Sequence, residues 1–131
     1  MESNKLDRIE RKIAKSKKLL EAARILFENN FFEDAISRAY YSMFHMAKSA
    51  LLLKEIEPEK HAGVIAMFAL HFVKTGLVDK LYSDMLAFAK KEREKSDYEE
   101  YREMVRFEAE EVVKNASKFI REIEKTTRKL L

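Results

Sequence analysis

Arg38 and His45 are the residues whose types and spacing most directly suggest chemistry in this chain. Seven positions apart on a helix, they fall within about 20° of each other and roughly 10 Å apart along the axis. Arginine holds a phosphate through two parallel hydrogen bonds and stays charged at any relevant pH. Histidine accepts or donates a proton near neutrality. Such a pair, flanked by Tyr41 and Ser42, could support metal-free cleavage of RNA, in which the ribose 2′-OH attacks its own phosphate. It equally suits a solvated helix face, with the arginine paired to a carboxylate and the histidine covering part of the core.

Two further positions carry possible chemistry. Arg93, Asp97 and Tyr98 lie where a helix is expected to run out into a loop, so their side chains could converge on a groove. The bland reading is a charged surface run with Arg93 and Asp97 as a structural ion pair. His61 follows Pro58 near an expected helix start, where anions are favoured. It also reads as an exposed first-turn residue. No metal site is expected: His45, His61 and His71 are scattered, with no His pair at i,i+4. Glycines occur only at Gly63 and Gly76, which excludes a glycine-rich phosphate loop, and no serine stands in a nucleophile-elbow context.

These residues must be positioned by helices, because two glycines and one proline leave little material for hairpin turns. The first helix is expected over about 5–28, with Leu6, Ile9, Ile13, Leu20, Ala23 and Phe27 inward, and a stop at Asn29-Asn30. The second, 32–53, presents Ile36, Ala39, Tyr40, Met43, Ala47, Ala50 and Leu51 to the core, with Arg38 and His45 opposite. Pro58 suits the first position of a third helix, which carries Val64, Ile65, Phe68, Ala69, Phe72 and Val73 and ends at Thr75-Gly76. A fourth is expected over 78–91, with Leu81, Met85, Leu86, Phe88 and Ala89. A loop follows over Ser96-Asp97-Tyr98, and then a last helix over about 102–129. There Met104, Phe107, Val112, Ala116, Phe119, Ile120 and Ile123 face inward.

At 131 residues the chain is expected to form one domain, 1–131. Its net charge of +3 arises from 26 basic and 23 acidic side chains, a mixture that favours a surface laced with salt bridges over one continuous nucleic-acid track. Cysteine is absent, which excludes disulfides and thiolate metal sites. The start lacks the apolar core of a secretory signal and no apolar run is long enough to span a membrane, so the cytoplasm is the expected compartment. Absence of glutamine, cysteine and tryptophan beside abundant glutamate and lysine suggests a heat-adapted source.

The run from Phe32 to His45, Phe-Glu-Asp-Ala-Ile-Ser-Arg-Ala-Tyr-Tyr-Ser-Met-Phe-His, resembles the signature helix of the HEPN superfamily. Pro58 to Ile65 and Arg93 to Tyr98 are similar to two further blocks of its small stand-alone archaeal and bacterial branch. The resemblance implies an all-α, up-and-down bundle of about five helices, often homodimeric. It also implies frequent pairing with a minimal nucleotidyltransferase in toxin–antitoxin-like modules. Many such proteins resemble metal-independent endoribonucleases with an Arg-x(4–6)-His motif; others bind nucleotides or act as scaffolds. In ribonuclease-type members the motif lies on a late helix, which points to Arg93, but Asp97-Tyr98 stands where the histidine is expected. An ordinary carboxylic acid is ionised near neutral pH and replaces that proton donor poorly.

The sequence therefore predicts a groove approached by Arg38, His61, Arg93, Asp97 and Tyr98, with His45 and Tyr41 as secondary candidates. Arg38 and Arg93 would grip phosphate, Tyr98 would stack on a base or donate its hydroxyl, and Asp97 would orient an arginine. The leading function is nucleotide or RNA binding with a nucleotidyltransferase partner. The alternatives are a metal-independent endoribonuclease using Arg93, Arg38 or His45, and a dimeric interaction scaffold. No cofactor is implied.

Overall fold

The computed structural model describes residues 2–98 and 105–131, excluding the side chains of Glu2 and Tyr98. It is an up-and-down bundle of five α-helices: α1 (Glu2–Glu28), α2 (Phe32–Leu53), α3 (His61–Phe68), α4 (Lys80–Tyr98) and α5 (Val105–Leu130). A π-helical turn, Ala69–Val73, prolongs α3. No strand occurs among the described residues.

The centre is α2. It contains no glycine or proline, and its alanines let neighbouring helices approach closely. α1 packs on it most extensively, then α5, then α4. The expected core face is buried, but so are Ser42, Phe44, Met46 and Ser49 on other sides of the helix. A helix apolar nearly all round belongs inside a bundle. Its buried hydroxyls are satisfied within the backbone: Ser42 donates to the Ala39 carbonyl at 2.6 Å and Ser49 to that of Met46 at 2.6 Å. Ser16 of α1 donates to the Ser42 carbonyl at 2.6 Å, tying the two helices together.

The first stop falls where expected. Asn30 adopts φ 67°, the Asn30 amide bonds to the Phe27 carbonyl, and the Phe31 amide reaches back to Leu26. This double bond pattern is a Schellman C-cap. The same geometry ends α2, with Glu55 at φ 60° and the amides of Glu55 and Ile56 bonded to Leu52 and Leu51.

Several expectations are corrected. Pro58 does not begin α3; the first helical residue is His61, and Pro58 lies three residues upstream in the connection. Its Cβ sits where it would meet a Cβ added to Gly63 at 3.1 Å, so the proline leans on the first turn of α3 instead of entering it. The third helix is not uniform: Lys74 bonds to the Ala69 carbonyl, five residues back. The widened turn leaves the His71 carbonyl to Lys54 Nζ and Thr75 Oγ1, each at 2.7 Å, and keeps Phe72 stacked on Phe68. α4 starts at Lys80, not at 78, and runs on through Ser96, Asp97 and Tyr98, where a loop was expected. Its charges pair along the helix, Lys90 with Glu94 and Arg93 with Asp97, which supports helix where apolar periodicity is missing. Leu6, Leu81 and Phe107, expected inward, are 43%, 53% and 63% exposed. The expected start of the last helix at Arg102 and the inward Met104 lie outside the described residues. No helix among the described residues is long and apolar enough to cross a membrane.

Candidate functional site

Three helices converge on an aromatic shelf. α2 supplies Tyr40, Tyr41 and Phe44, α3 supplies His61, and α4 supplies Arg93. His61 is the first residue of α3, and its ring stacks on Phe44 at 4.3 Å between centroids and 18° between planes. Tyr41 meets the same imidazole edge-on at 5.7 Å and 86°. The Tyr40 hydroxyl lies 2.7 Å from His61 Nδ1. The Arg93 guanidinium lies over both tyrosines, 5.6 Å from the ring centroid of Tyr40 and 5.4 Å from that of Tyr41. Its Nη1 donates to the Tyr41 hydroxyl at 3.2 Å and pairs with the Asp97 carboxylate at 3.2 Å. Arg93 Nε is buried with no hydrogen-bond partner.

The hydrogen-bond network assigns the tautomer of His61. Tyr40 is fully buried, and that burial raises its hydroxyl pKa well above the ordinary value, so the phenol keeps its proton. Were Nδ1 the donor, the Tyr40 O–H would be left with no acceptor at this contact. Tyr40 therefore donates to Nδ1, and the neutral imidazole carries its proton on Nε2. Burial lowers the His61 pKa, and the positive charges of Arg93, Lys90 and Lys48 lower it further. At neutral pH this residue offers an N–H donor without a net charge.

The structure brings together Arg93, Asp97, His61 and Tyr41 from the candidate residues. The backbone of Tyr98 ends the described part of α4; its side chain lies outside what is described. Arg38 is not joined to this cluster. It is exposed on the α1 side of α2 and lines a shallow recess with Lys15, Lys18, Leu19, Ile25 and Leu26. His45 is half-buried and faces Arg8, Arg11, Lys12 and Lys15. Burial, reinforced by the charges of Lys15, Lys48 and Lys12, pushes its pKa down to about 4. Its Nδ1 is buried without a partner. Arg38 and His45 thus occupy separate recesses that share Lys15.

Tyr40 escaped the sequence reading as a site residue because it fits the core pattern; Phe44, off that stripe, was given no role. The available signal was three aromatics at i, i+1 and i+4, a spacing that spreads rings across one side of a helix. Lys48 was also missed. Its Nζ lies 5.3 Å from the centroid of Phe44, on the ring that carries His61. Among the described residues no three His, Asp or Glu side chains converge as a metal site would require.

Known proteins bear on this arrangement. Residues 9–126 match the family described as HEPN domain. Two proteins of Methanocaldococcus jannaschii, each named "Putative toxin", are similar to this chain. One is 44% identical over 110 residues, covering 79% of this chain and 82% of the relative. The other is 38% identical over 117 residues, covering 89% and 80%. A protein of Archaeoglobus fulgidus named as a UPF0332 protein is 34% identical over 124 residues, covering 95% of this chain and 98% of its own. With the family match spanning most of the helical bundle, the chain belongs to the HEPN family, alongside small archaeal and bacterial UPF0332 proteins.

Proposed function

We propose that this HEPN protein binds the phosphate of RNA or of a nucleotide in the groove between α2, α3 and α4. Arg93 is the anion grip and the His61 Nε2–H a second donor. Asp97 orients the guanidinium, and Tyr98, at the end of the same helix, is the candidate for a base contact. The observation that carries the reading is Arg93 itself, laid over two tyrosine rings beside a histidine that Tyr40 fixes as a donor. Neutral, pre-oriented N–H groups next to a guanidinium complement a phosphate.

The toxin name carried by the two Methanocaldococcus relatives supports a place in a toxin–antitoxin module. The partner in this reading is an antitoxin of the minimal nucleotidyltransferase kind, and the protein works as a homodimer. A neighbouring nucleotidyltransferase gene would support the pairing without deciding whether this chain is catalytic.

Endoribonuclease activity is the competing reading. It needs a proton acceptor at the ribose hydroxyl, whereas the assigned tautomer of His61 presents a donor. The test is binding and cleavage of a labelled oligouridylate in EDTA by protein free of any antitoxin. Binding without cleavage is expected, weakened about tenfold or more by Arg93→Ala, as for loss of a charged hydrogen-bonding group. Tyr40→Phe, which frees the tautomer, is expected to weaken it less. Metal-independent cleavage abolished by His61→Ala or His45→Ala would establish the enzyme instead, and binding unchanged in Arg93→Ala would retire this groove.

A further inference from the structure

A row of cations crosses from α1 to α2, with Glu57 at its edge as the acidic side chain whose charge Lys12 feels. Arg11, Lys12, Lys15 and Lys18 recur at one, three and three residues. Successive turns therefore present a positive charge about every 5 Å along the axis. Arg8, one turn earlier, is paired with Glu57. Among the described residues, no hydrogen bond or ion pair links the four later cations to a carboxylate. Elsewhere on the bundle several surface cations are paired, as with Lys17 and Glu124, Lys80 and Asp84, and Arg128 and Glu10.

Lys48 carries the row onto α2. Its charge reaches Lys12 on one side, where burial and the charges of Lys48, Arg8 and Lys15 lower the ammonium pKa. On the other side it covers Phe44 and is felt by His61. Beneath the row lies a recess of about 290 Å³, lined by Arg8, Arg11, Lys12, Lys15 and His45. The His45 Nδ1 at this recess is buried and unpartnered. Crowded like charges oppose folding unless an anion relieves them.

We propose that Lys12, Lys15 and Lys48, with His45 beneath them, form a track for the sugar–phosphate backbone of a single RNA strand, leading it over α2 to the groove of Arg93 and His61. The track rests on the reading of that groove as a phosphate site and extends it from one phosphate to a strand. Cations repeating at the interval of a helical turn, with no carboxylate hydrogen-bonded to them among the described residues, suit a polymer that bears one charge per repeat. No ring but the His45 imidazole lines this recess, so bases face away and recognition is directed at the backbone, tolerant of sequence. An acidic protein partner would want apolar anchors at the centre of its interface, and the recess beneath the row is lined by cations and a histidine alone.

The test compares wild type, Arg93→Ala and the triple variant Lys12→Ala, Lys15→Ala, Lys48→Ala. The probes are a labelled 12-mer oligouridylate, polyglutamate of equal charge, and AMP, each at several salt concentrations. For a single strand each phosphate contact contributes about 0.7 to the slope of log K against log salt, so the triple variant is expected to lose about 2. AMP binding is expected to survive when Lys12 and Lys15 alone are replaced by alanine, and to be lost in Arg93→Ala. The triple variant is expected to melt close to wild type, since the repulsion it sheds offsets the lost contact of Lys48 with Phe44. An oligouridylate affinity and salt slope equal to wild type would overturn the track while AMP binding kept the groove. Polyglutamate bound more tightly than oligouridylate would overturn it in favour of an acidic protein. Loss of slope in the triple variant with Arg93→Ala unaffected would leave the track standing and remove the groove.

Discussion

A single hydroxyl decides what His61 can do. Tyr40 reads as a core aromatic, and it is one, yet its O–H fixes which imidazole nitrogen faces outward. The two histidines of α2 and α3 also set a pH response. Both have pKa values lowered in the fold, His45 to about 4, whereas an unfolded histidine titrates near 6.5. Above that pH both states are neutral and the histidines contribute nothing. As pH falls from about 6.5 towards 4, the unfolded chain takes up protons that the native state refuses, and stability is lost. The lowered carboxylates, Glu10, Glu57, Glu94 and Glu124, add their loss only below their ordinary range near 4.5. Thermal melts between pH 7 and 5 should therefore show a falling melting temperature, and His45→Leu should flatten that slope. A slope unchanged in the variant would mean that His45 protonates freely in the fold.

At the scale of elements, apolar periodicity and turn chemistry found the helices and most of the core. They misplaced the start of α3, at Pro58 instead of His61, and the exposed Leu6, Leu81 and Phe107. Asn29-Asn30 ended α1, and the Ile36–Leu51 stripe found the core. The sequence was least legible in α4, where charge without apolar period reads as loop but i,i+4 pairing makes helix through Asp97. That error mattered for the site. A loop would have let Arg93, Asp97 and Tyr98 converge freely, whereas a helix turns Arg93 and Asp97 to one face and delivers Arg93 onto the α2 tyrosines. The sequence reading expected His61 and Arg93 only as members of a shared groove with Arg38, because the shelf between them depends on tertiary packing that spacing does not encode. The α3–α4 connection offers a clean test of turn chemistry. Gly76 holds φ 81° with nothing within 4 Å of a would-be Cβ, so Gly76→Ala meets a backbone cost and no clash. A loss of about 1–2 kcal/mol is expected by urea unfolding, the cost of a left-handed conformation for an L-residue. Unchanged stability would show that the turn relaxes at little cost.

The whole molecule is closed by charge as well as by core. Arg128, on the last turns of α5, forks onto Glu10 of α1 at 2.8 and 3.0 Å and onto Glu124 at 2.9 Å, with Lys17 completing the set. The network joins the first helix to the last, across 118 positions of sequence. Exposed pairs are screened by salt and contribute little singly, whereas networks gain weight with temperature. Arg128→Ala should lower the melting temperature in dilute buffer, and the difference from wild type should shrink in 1 M salt. A difference independent of salt would assign the effect to packing of the arginine stem. Lys12 and Lys15 lie on a different side of α1 from Glu10 and Lys17 of this network.

Because α2 is enclosed by its neighbours while carrying Tyr40, Phe44, His45 and Lys48 to both proposed binding faces, its backbone should serve as the molecule's slowest clock. Amide protons along its middle can exchange with solvent only when the bundle opens as a whole, whereas those of the short α3 and its π turn escape through local fraying. A ligand that binds only the folded bundle would slow exchange along α2 by one plus the ratio of free ligand to Kd, whichever helix grips it, whereas the fraying of α3 would slow only for a ligand that α3 itself holds.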